Sequence, residues 1–151
     1  MADKVQFELV SPEKLLLSEA VAMVVVPGSE GNFGVLPGHS LLISTVRPGI
    51  IDVYSDEQTQ ITERIFVSGG FAEVTPERCT VLADEALPLS SIDRADIEQQ
   101  AKSLAATVAS LGDQLARQQG AERERVAGEL RAAERRLAVA AAKLAALESI
   151  A

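Results

Sequence analysis

The residues of this sequence that could perform chemistry are few and widely separated. The 151-residue chain contains one histidine, His39, and one cysteine, Cys79. A zinc site usually takes several histidine or cysteine ligands, so this chain cannot supply a multi-histidine metal centre. A single histidine after Pro-Gly is typical of a structural or interface residue, and a cysteine in an alternating run is typical of a buried strand position. We therefore predict no catalytic residue, no metal site and no cofactor.

The segment 27–39 is the strongest candidate for a binding loop. Gly28, Gly31 and Gly34 occur at three-residue spacing between two Pro-Gly pairs. Glycine adopts positive φ without steric cost, so this spacing indicates a backbone that reverses tightly between strands. The block lacks the Gly-Lys-Ser/Thr ending of a phosphate-binding loop, and no helix is expected after it, so its nucleotide signal is weak. We predict that this region binds a partner.

Short β-type runs separated by turn residues fill the first 87 positions. They lie at 5–9, 21–26, 41–46, 50–54, 59–67, 71–74 and 79–82. Runs of this length and spacing predict an antiparallel sandwich or barrel. Ser68-Gly69-Gly70 is expected to form a hairpin turn, and the segment 75–78 a second reversal.

The chain changes character near Leu87. All six prolines lie at or before Pro88, and seven of the ten glycines lie at or before Gly70. We therefore predict a β domain over 1–87 and a second domain over 88–151.

Two helices are predicted in the second domain. From Ile92 the apolar residues recur about every 3.6 positions, in two series separated at 118–120. The short break predicts an antiparallel helical hairpin, with Ser91 as the N-cap of the first helix and Gly120 as the residue after its end. The apolar series are Ile97, Ala101, Leu104, Val108, Leu111 and Leu115, then Val126, Leu130, Ala133, Leu137, Ala140, Leu144 and Leu147.

Charge also divides between the two domains. Through Ser90 the chain has 13 Asp or Glu and five Lys or Arg, and from Ser91 onward it has nine of each. Nucleic-acid binding depends on Lys and Arg that neutralise phosphates, so the acidic domain predicts no nucleic-acid partner. The balance fits either a basic protein partner or a role in solubility. No apolar run approaches the ~20 residues that span a bilayer, so we expect no membrane insertion.

The charges and alanines of the second helix each have two interpretations. The spacing of Glu122, Arg125 and Glu129, and that of Arg131 and Glu134, is typical of ion pairs on a solvated face. Four arginines could instead present a regulatory basic strip to an acidic partner; they are Arg123, Arg131, Arg135 and Arg136. Alanine favours helix while burying little apolar area, which suits either a fixed hairpin or a movable arm.

The ordered combination of motifs from Val5 to Leu87 resembles the epsilon-subunit family of bacterial F-type ATP synthases. The motifs are G-S-E-G-x-x-G-x-x-P-G-H at 28–39, an x-P-G turn at 47–49, here Arg47-Pro48-Gly49, and S-G-G-x-x-E-V at 68–74. The resemblance implies a flattened antiparallel β-sandwich of about ten strands, followed by a C-terminal antiparallel α-helical hairpin.

The resemblance also implies a function. Members of this family are non-catalytic subunits of the central rotor stalk, which bind the gamma subunit and the c-subunit ring and so couple proton transport to ATP synthesis. Their hairpin can extend along gamma toward the catalytic head subunits and restrain ATP hydrolysis. By this resemblance, the ring-facing loop is Ser29, Glu30, Gly31 and Asn32, and the gamma interface includes His39 and Ser44.

Location and ATP binding follow from the same resemblance. The start of the sequence shows no secretory or Arg-rich transit segment, which favours a bacterial subunit attached peripherally to the cytoplasmic face of the plasma (inner) membrane. Some members bind ATP through an I/L-D-x-x-R-A motif. Here Asp93 matches, but Asp96 replaces the arginine, and an anion repels triphosphate, so we expect weak or no ATP binding.

Two other classes of protein remain as alternatives. The first is a free-standing adaptor or chaperone-like protein whose helical hairpin grips its clients. The second is a small β-sandwich enzyme, which would need a convergent polar pocket that one histidine and one cysteine do not provide.

Overall fold

In the computed structural model, which describes residues 3–150, the chain forms two compact units, Met1–Ile92 and Asp93–Ala151. The first unit is made of strands and the second of two helices. The boundary lies five residues beyond the change in composition at 87/88. The reason is that the last strand, Ala86–Pro88, pairs with the sheet, and Leu89 in the following 3₁₀ turn (Leu89–Ser91) is buried.

The β unit is one curled sheet of ten strands. Their order across the sheet is β10-β7-β6-β3-β5-β8-β9-β1-β2, with β4 paired to β3 outside this path. The strands are β1 (Val5–Val10), β2 (Leu15–Val21), β3 (Met23–Gly28), β4 (Gly31–Val35), β5 (Leu42–Val46), β6 (Gly49–Tyr54), β7 (Glu63–Val67), β8 (Gly70–Val74), β9 (Arg78–Ala83) and β10 (Ala86–Pro88). The predicted fold of about ten strands followed by a helical hairpin is confirmed. Its strand pairs are antiparallel apart from β1 with β9, which run parallel.

Aliphatic side chains fill the interior of this sheet. Strand β1 alternates strictly, and Val5, Phe7 and Leu9 are buried while the residues between them are half-buried. Strands β3 and β5 meet at one residue pair, Gly28 with Val46, where the sheet turns. Residues from both halves of the sheet belong to one buried cluster, so the curled sheet closes over a single core.

Three strands were missed by the sequence analysis, namely β2, β4 and β10. Strand β2 is an edge strand with a mixed exposure pattern, β4 contains two glycines, and β10 has only three residues. Their pairing with neighbouring strands defines them more than their own side chains do. The predicted run 21–26 is also divided, since Ala22 leaves the ladder and its N–H donates to the Tyr54 carbonyl at 2.8 Å.

The predicted hairpin turn at Ser68-Gly69-Gly70 is wrong. Strand β7 pairs with β6 and β10, whereas β8 pairs with β5 and β9, so this segment crosses between separate parts of the sheet. It is held there because Ser68 N–H donates to the Glu85 carbonyl and Asp84 N–H donates to the Gly69 carbonyl, both at 3.0 Å. The reversal at 75–78 is confirmed, since β8 and β9 are antiparallel neighbours joined through it.

The helical unit consists of α1 (Arg94–Arg117) and α2 (Gly120–Ser149). Leu111, Val126 and Ala133 form a buried cluster between the helices, as the apolar spacing predicted. The N-cap of α1 is Asp93 and not Ser91. An Asp93 carboxylate oxygen accepts from the N–H of Ala95 at 3.0 Å, whereas the Ser91 hydroxyl donates to Pro88 within the preceding turn.

Gly120 does not end the first helix, as predicted, but begins the second. Helix α1 ends at Arg117, and two extended residues, Gln118 and Gln119, make the connection. Gly120 has a φ of +64°, which lets the chain enter α2 directly from this extended segment. Neither helix is long and apolar enough to cross a membrane, within the part of the chain that the structure describes.

Candidate functional site

The glycine-rich segment forms a tight β-hairpin between β3 and β4. Gly28 pairs with Gly31, which leaves Ser29 and Glu30 as a two-residue loop. Among residues 3–150, positive φ values occur only at glycines, so the reversal is taken up by Gly31 at +139°. The four residues predicted to face the ring are all exposed here. We call Ser29, Glu30, Gly31 and Asn32 the tip.

Arg47, the residue that follows β5, forms hydrogen bonds with the tip and with Gly28 beside it. Its guanidinium donates to the Gly28 carbonyl and, at 2.6 Å, to the Asn32 side-chain oxygen. The Ser29 N–H donates to the Thr45 carbonyl at 3.1 Å, which adds a backbone bond to the same strand. Arg47 was not predicted as a site residue, since its partners lie 15 and 19 residues away and no local pattern reports them.

Of the two residues predicted to face gamma, Ser44 lies in β5 and His39 lies in the loop before it. His39 is half-buried in the loop after β4, and its Nδ1–H donates to the Ser40 carbonyl at 2.7 Å. The Ser44 hydroxyl donates to the Thr45 carbonyl at 2.9 Å. Ser44 pairs with the buried Ala72, so its side chain lies on the inward face of β5.

An exposed apolar surface covers the outward face of β5, β8 and β9. Its large side chains are Leu41, Ile43, Phe71 and Leu82, exposed to 78, 76, 56 and 54 %. Phe71 lies directly opposite Leu82 and, on its other side, opposite Thr45. Ile43 lies diagonal to Phe71 and directly opposite the exposed Glu73. Because cross-strand neighbours on one face touch, we treat these side chains as one patch that also contains the Glu73 carboxylate, and we call it the outer patch. Contiguous apolar groups rimmed by polar residues mark docking surfaces.

The outer patch was also missed by the sequence analysis. Apolar residues in a strand are ordinarily counted as core, and the sequence analysis did not single out Phe71 or Ile43 as surface residues. The available signal was that Phe71 and its neighbour Ala72 are both apolar, although successive strand residues face opposite sides of the sheet. One of the two therefore had to point outward.

Two ionisable groups of the β unit, the Cys79 thiol and the Asp52 carboxyl, have raised pKa values. Cys79 is fully buried, and burial raises the pKa of its thiol to about 12, so it carries no thiolate at neutral pH. Asp52 is partly desolvated, which raises the pKa of its carboxyl against the opposing effect of Arg64 at 3.5 Å. In residues 3–150, no three His, Cys, Asp or Glu side chains are grouped so that they could hold a metal ion.

The four arginines of the predicted basic strip do not share one face of α2. Arg123 donates to the Leu115 carbonyl at 2.6 Å and so satisfies an acceptor near the end of α1. Arg131 and Arg135 are exposed and four residues apart, which places them on one face, while Arg136 lies about 100° further round the helix. Arg125 pairs with Glu122 and Glu129, which confirms the solvated ion pairs predicted there.

The start of α1 carries carboxylates where the ATP-binding motif has an arginine. Asp93 caps the helix, and Asp96 in the first turn accepts from Gln100 at 3.3 Å. A helix N-terminus favours anions, and here the capping carboxylate already occupies the free N–H groups. This geometry is consistent with the expected weak ATP binding.

Comparison with known proteins gives one consistent result. Residues 4–89 match the family model described as "ATP synthase, Delta/Epsilon chain, beta-sandwich domain". A protein from Rhodospirillum centenum named "ATP synthase epsilon chain" is 65 % identical over 107 residues, which are 69 % of this chain and 73 % of that protein. Its namesake from Rhodospirillum rubrum is 62 % identical over 92 residues, 61 % of this chain and 67 % of that one.

Solved structures are similar as well. A chain in the cryo-EM structure of the Euglena gracilis mitochondrial ATP synthase, described as OSCP/F1/c-ring, superposes with a TM-score of 0.70 at 25 % identity, covering 95 % of this chain and 81 % of that chain. A chain of the Tetrahymena thermophila mitochondrial ATP synthase central stalk and c-ring gives 0.50 at 14 % identity, covering 59 % and 69 %, and shares the fold alone.

Proposed function

The chain belongs to the ATP synthase delta/epsilon family, and from this membership we infer that it works as the epsilon subunit in the rotor stalk of an F-type ATP synthase. We propose that it is non-catalytic and links the gamma subunit to the c ring, so that proton-driven rotation reaches the catalytic head. The free-standing adaptor is not favoured, because the relatives from both Rhodospirillum species are epsilon chains.

The outer patch is the observation that carries the docking proposal. All four of its large apolar side chains, at Leu41, Ile43, Phe71 and Leu82, expose more than half of their surface to water on one face of the sheet. Covering one large apolar side chain is favourable by about 1.5–3 kcal/mol, so a partner that covers all four gains a substantial driving force. We assign this patch to the gamma subunit. His39 lies two residues before Leu41, in the loop that leads into the patch, whereas the Ser44 side chain lies on the inward face of β5, so its predicted gamma contact is not part of this patch.

The tip is assigned to the c ring. It is exposed, short and held to β5, and it carries the carboxylate of Glu30. The solved assemblies with which this chain shares its fold include a c-ring, which supports the assignment. Through the ring, the subunit would sit peripherally at the cytoplasmic face of a bacterial inner membrane.

Charged substitutions in the outer patch should strongly weaken docking while leaving the fold intact. Ile43→Glu and Phe71→Glu each place a carboxylate in a surface that must become dry, and each is expected to weaken association with purified gamma by about 100-fold or more. Isothermal titration calorimetry measures this. Leu15→Glu is the matched control, because Leu15 is 55 % exposed on the edge strand β2, outside the patch.

Full-affinity binding by both patch variants, with unchanged melting temperatures, would show that gamma docks elsewhere. A loss of affinity in Leu15→Glu equal to that of the patch variants would point instead to a general effect of added negative charge. Either result removes the assignment of the outer patch.

The helical unit is proposed to restrain ATP hydrolysis by the catalytic head. Its exposed Arg131, Arg135 and Arg136 suit an acidic surface, and two of them lie on one face of α2. A chain that ends after Ile92, the boundary of the β unit, should therefore raise the ATPase rate of the assembled complex.

The matched variant for this test is Arg131→Gln with Arg135→Gln in the full-length chain, which should give part of the same increase. Lys102→Gln, which removes an exposed cation from α1, should leave the rate unchanged. Equal ATPase rates with the full-length and the shortened chain would contradict the regulatory role.

A further inference from the structure

We propose that Arg47 is a positioning residue for the ring contact, because it ties the two sides of the tip together and holds the exposed turn in one conformation. The proposal rests on the assignment of the tip to the c ring. Arg47 acts through the tip, and its own partners are atoms of this chain.

The two hydrogen bonds of the guanidinium reach opposite sides of the turn. One goes to the carbonyl of Gly28, the last residue of β3, and the other to the side chain of Asn32 in β4. Guanidinium presents several donors in a fixed planar fork, so one group can bridge two acceptors without rearranging. Gly28 also belongs to the ladder pair that closes the turn, Gly28 with Gly31, and Asn32 directly follows Gly31.

The backbone of Arg47 is held in place by a hydrogen bond to β3 and by the proline that follows it. Its N–H donates to the Pro27 carbonyl at 2.9 Å, and the residue precedes Pro48, which favours an extended conformation. A Cβ added at Gly49 would lie 3.1 Å from Pro27 Cβ, so this turn packs closely on the end of β3. The side chain therefore leaves from a well-defined point beside the tip.

Ordering this turn costs more backbone entropy than ordering most turns, so a contact from outside the turn helps to hold it. Gly28 and Gly31 flank it, and glycine loses more backbone freedom on folding than any other residue. A contact loop that is ordered before binding gains affinity, because less conformational entropy is lost in the complex. Arg47 supplies this order from outside the turn.

Asn32 determines what charge the tip presents. An amide accepts the hydrogen bond without neutralising the guanidinium, so the tip combines the positive charge of Arg47 with the carboxylate of Glu30. An aspartate in the same place would accept the same bond and cancel the charge. Asn32→Asp should therefore keep the turn ordered and make ring association depend differently on salt concentration.

The test uses the full-length chain and has two measurements. NMR amide hydrogen exchange at Ser29, whose N–H is bonded to Thr45, reports order in the tip. Association of the purified c ring in detergent with gamma bound to the full-length chain reports function. Arg47→Gln is expected to speed exchange at Ser29 and to weaken ring association about ten-fold, with gamma binding unchanged.

Two comparisons separate positioning from a general loss of stability. Arg64→Gln removes another arginine of the β unit, paired with Asp52 on β6, and should change neither measurement at the tip. Asn32→Ala should weaken ring association on its own but add little in the Arg47→Gln background, because both changes break the same bridge. If Arg47→Gln fails to fold, Arg47→Lys keeps the charge with a single donor group and should show the same loss of order.

The outcomes distinguish this proposal from the assignment beneath it. Unchanged exchange at Ser29 in both Arg47 variants overturns the positioning role. A Glu30→Ala variant that loses ring affinity while Arg47→Gln keeps it also overturns the positioning role, and leaves the ring contact standing. If exchange rises but no substitution in the tip affects ring association, the ring assignment itself is wrong.

Discussion

Replacing Gly70 by alanine is expected to prevent the β unit from folding. Gly70 has a φ of +142°, and a Cβ built there would lie 1.9 Å from the Leu82 carbonyl oxygen and 3.1 Å from Ala83 Cα. Both neighbours are backbone of β9, with which Gly70 pairs, so no side-chain rotation can relieve the overlap. The expected loss is about 5 kcal/mol or more, which is comparable with the whole stability of a small domain.

Gly112→Ala is the matched control for this change. Gly112 lies within α1, and a Cβ there would meet no heavy atom within 4 Å. Alanine is the better helix former, so this variant should gain about 0.5–1 kcal/mol. Circular dichroism and thermal melting of the two purified variants measure both effects. A Gly70→Ala protein that melts close to the unchanged chain would contradict the geometry at the β8–β9 pair.

Phe7→Ala should strongly destabilise the β unit by opening a cavity in its core. Phe7 is fully buried in β1, within the single core cluster of the sheet. Removing a buried phenyl ring loses its transfer free energy and leaves a cavity, which together amount to about 3–5 kcal/mol. Urea unfolding followed by the fluorescence of Tyr54 measures this in the β unit alone, since Tyr54 is the only tyrosine and the chain has no tryptophan.

Phe71→Ala removes the same atoms from the surface of the same unit. Because Phe71 is more than half exposed, its loss should destabilise the β unit by less than about 1 kcal/mol, while gamma association falls. The pair thus separates a phenylalanine that holds the fold from one that meets a partner. Equal loss of stability in both variants would show that Phe71 belongs to the core and that the outer patch is not a docking surface.

Much of the architecture could be predicted from the sequence because the strongest patterns are local. The alternation of β1 and the apolar spacing of α1 and α2 each identified their elements. Strands β2, β4 and β10 were not predicted, because pairing with neighbouring strands defines them more than their own side-chain pattern does. Strand β10, for example, has only three residues, which pair with β7. The segment 68–70 was misassigned for the same reason, since its glycines predict a turn but do not predict which strands the turn joins.

The candidate site was only partly predictable. The glycine spacing and the family resemblance located the tip, and the structure shows its four residues together on one exposed turn. The Arg47 bridge depends on a contact between residues far apart in sequence, which no spacing reveals. The outer patch depends on which face of β5 and β8 points outward, and that is fixed only when the curled sheet closes over its core.

The position of β1 has a consequence for how the chain is made. This strand lies between β2, which follows it directly, and β9, where Phe7 pairs with Cys79. A ribosome must therefore release β9 before β1 can complete its hydrogen bonds. Until then the apolar face of β1 has no lasting cover, and the nascent chain has to be kept from aggregating. The two helices leave the ribosome after that step, when the sandwich can already be closed.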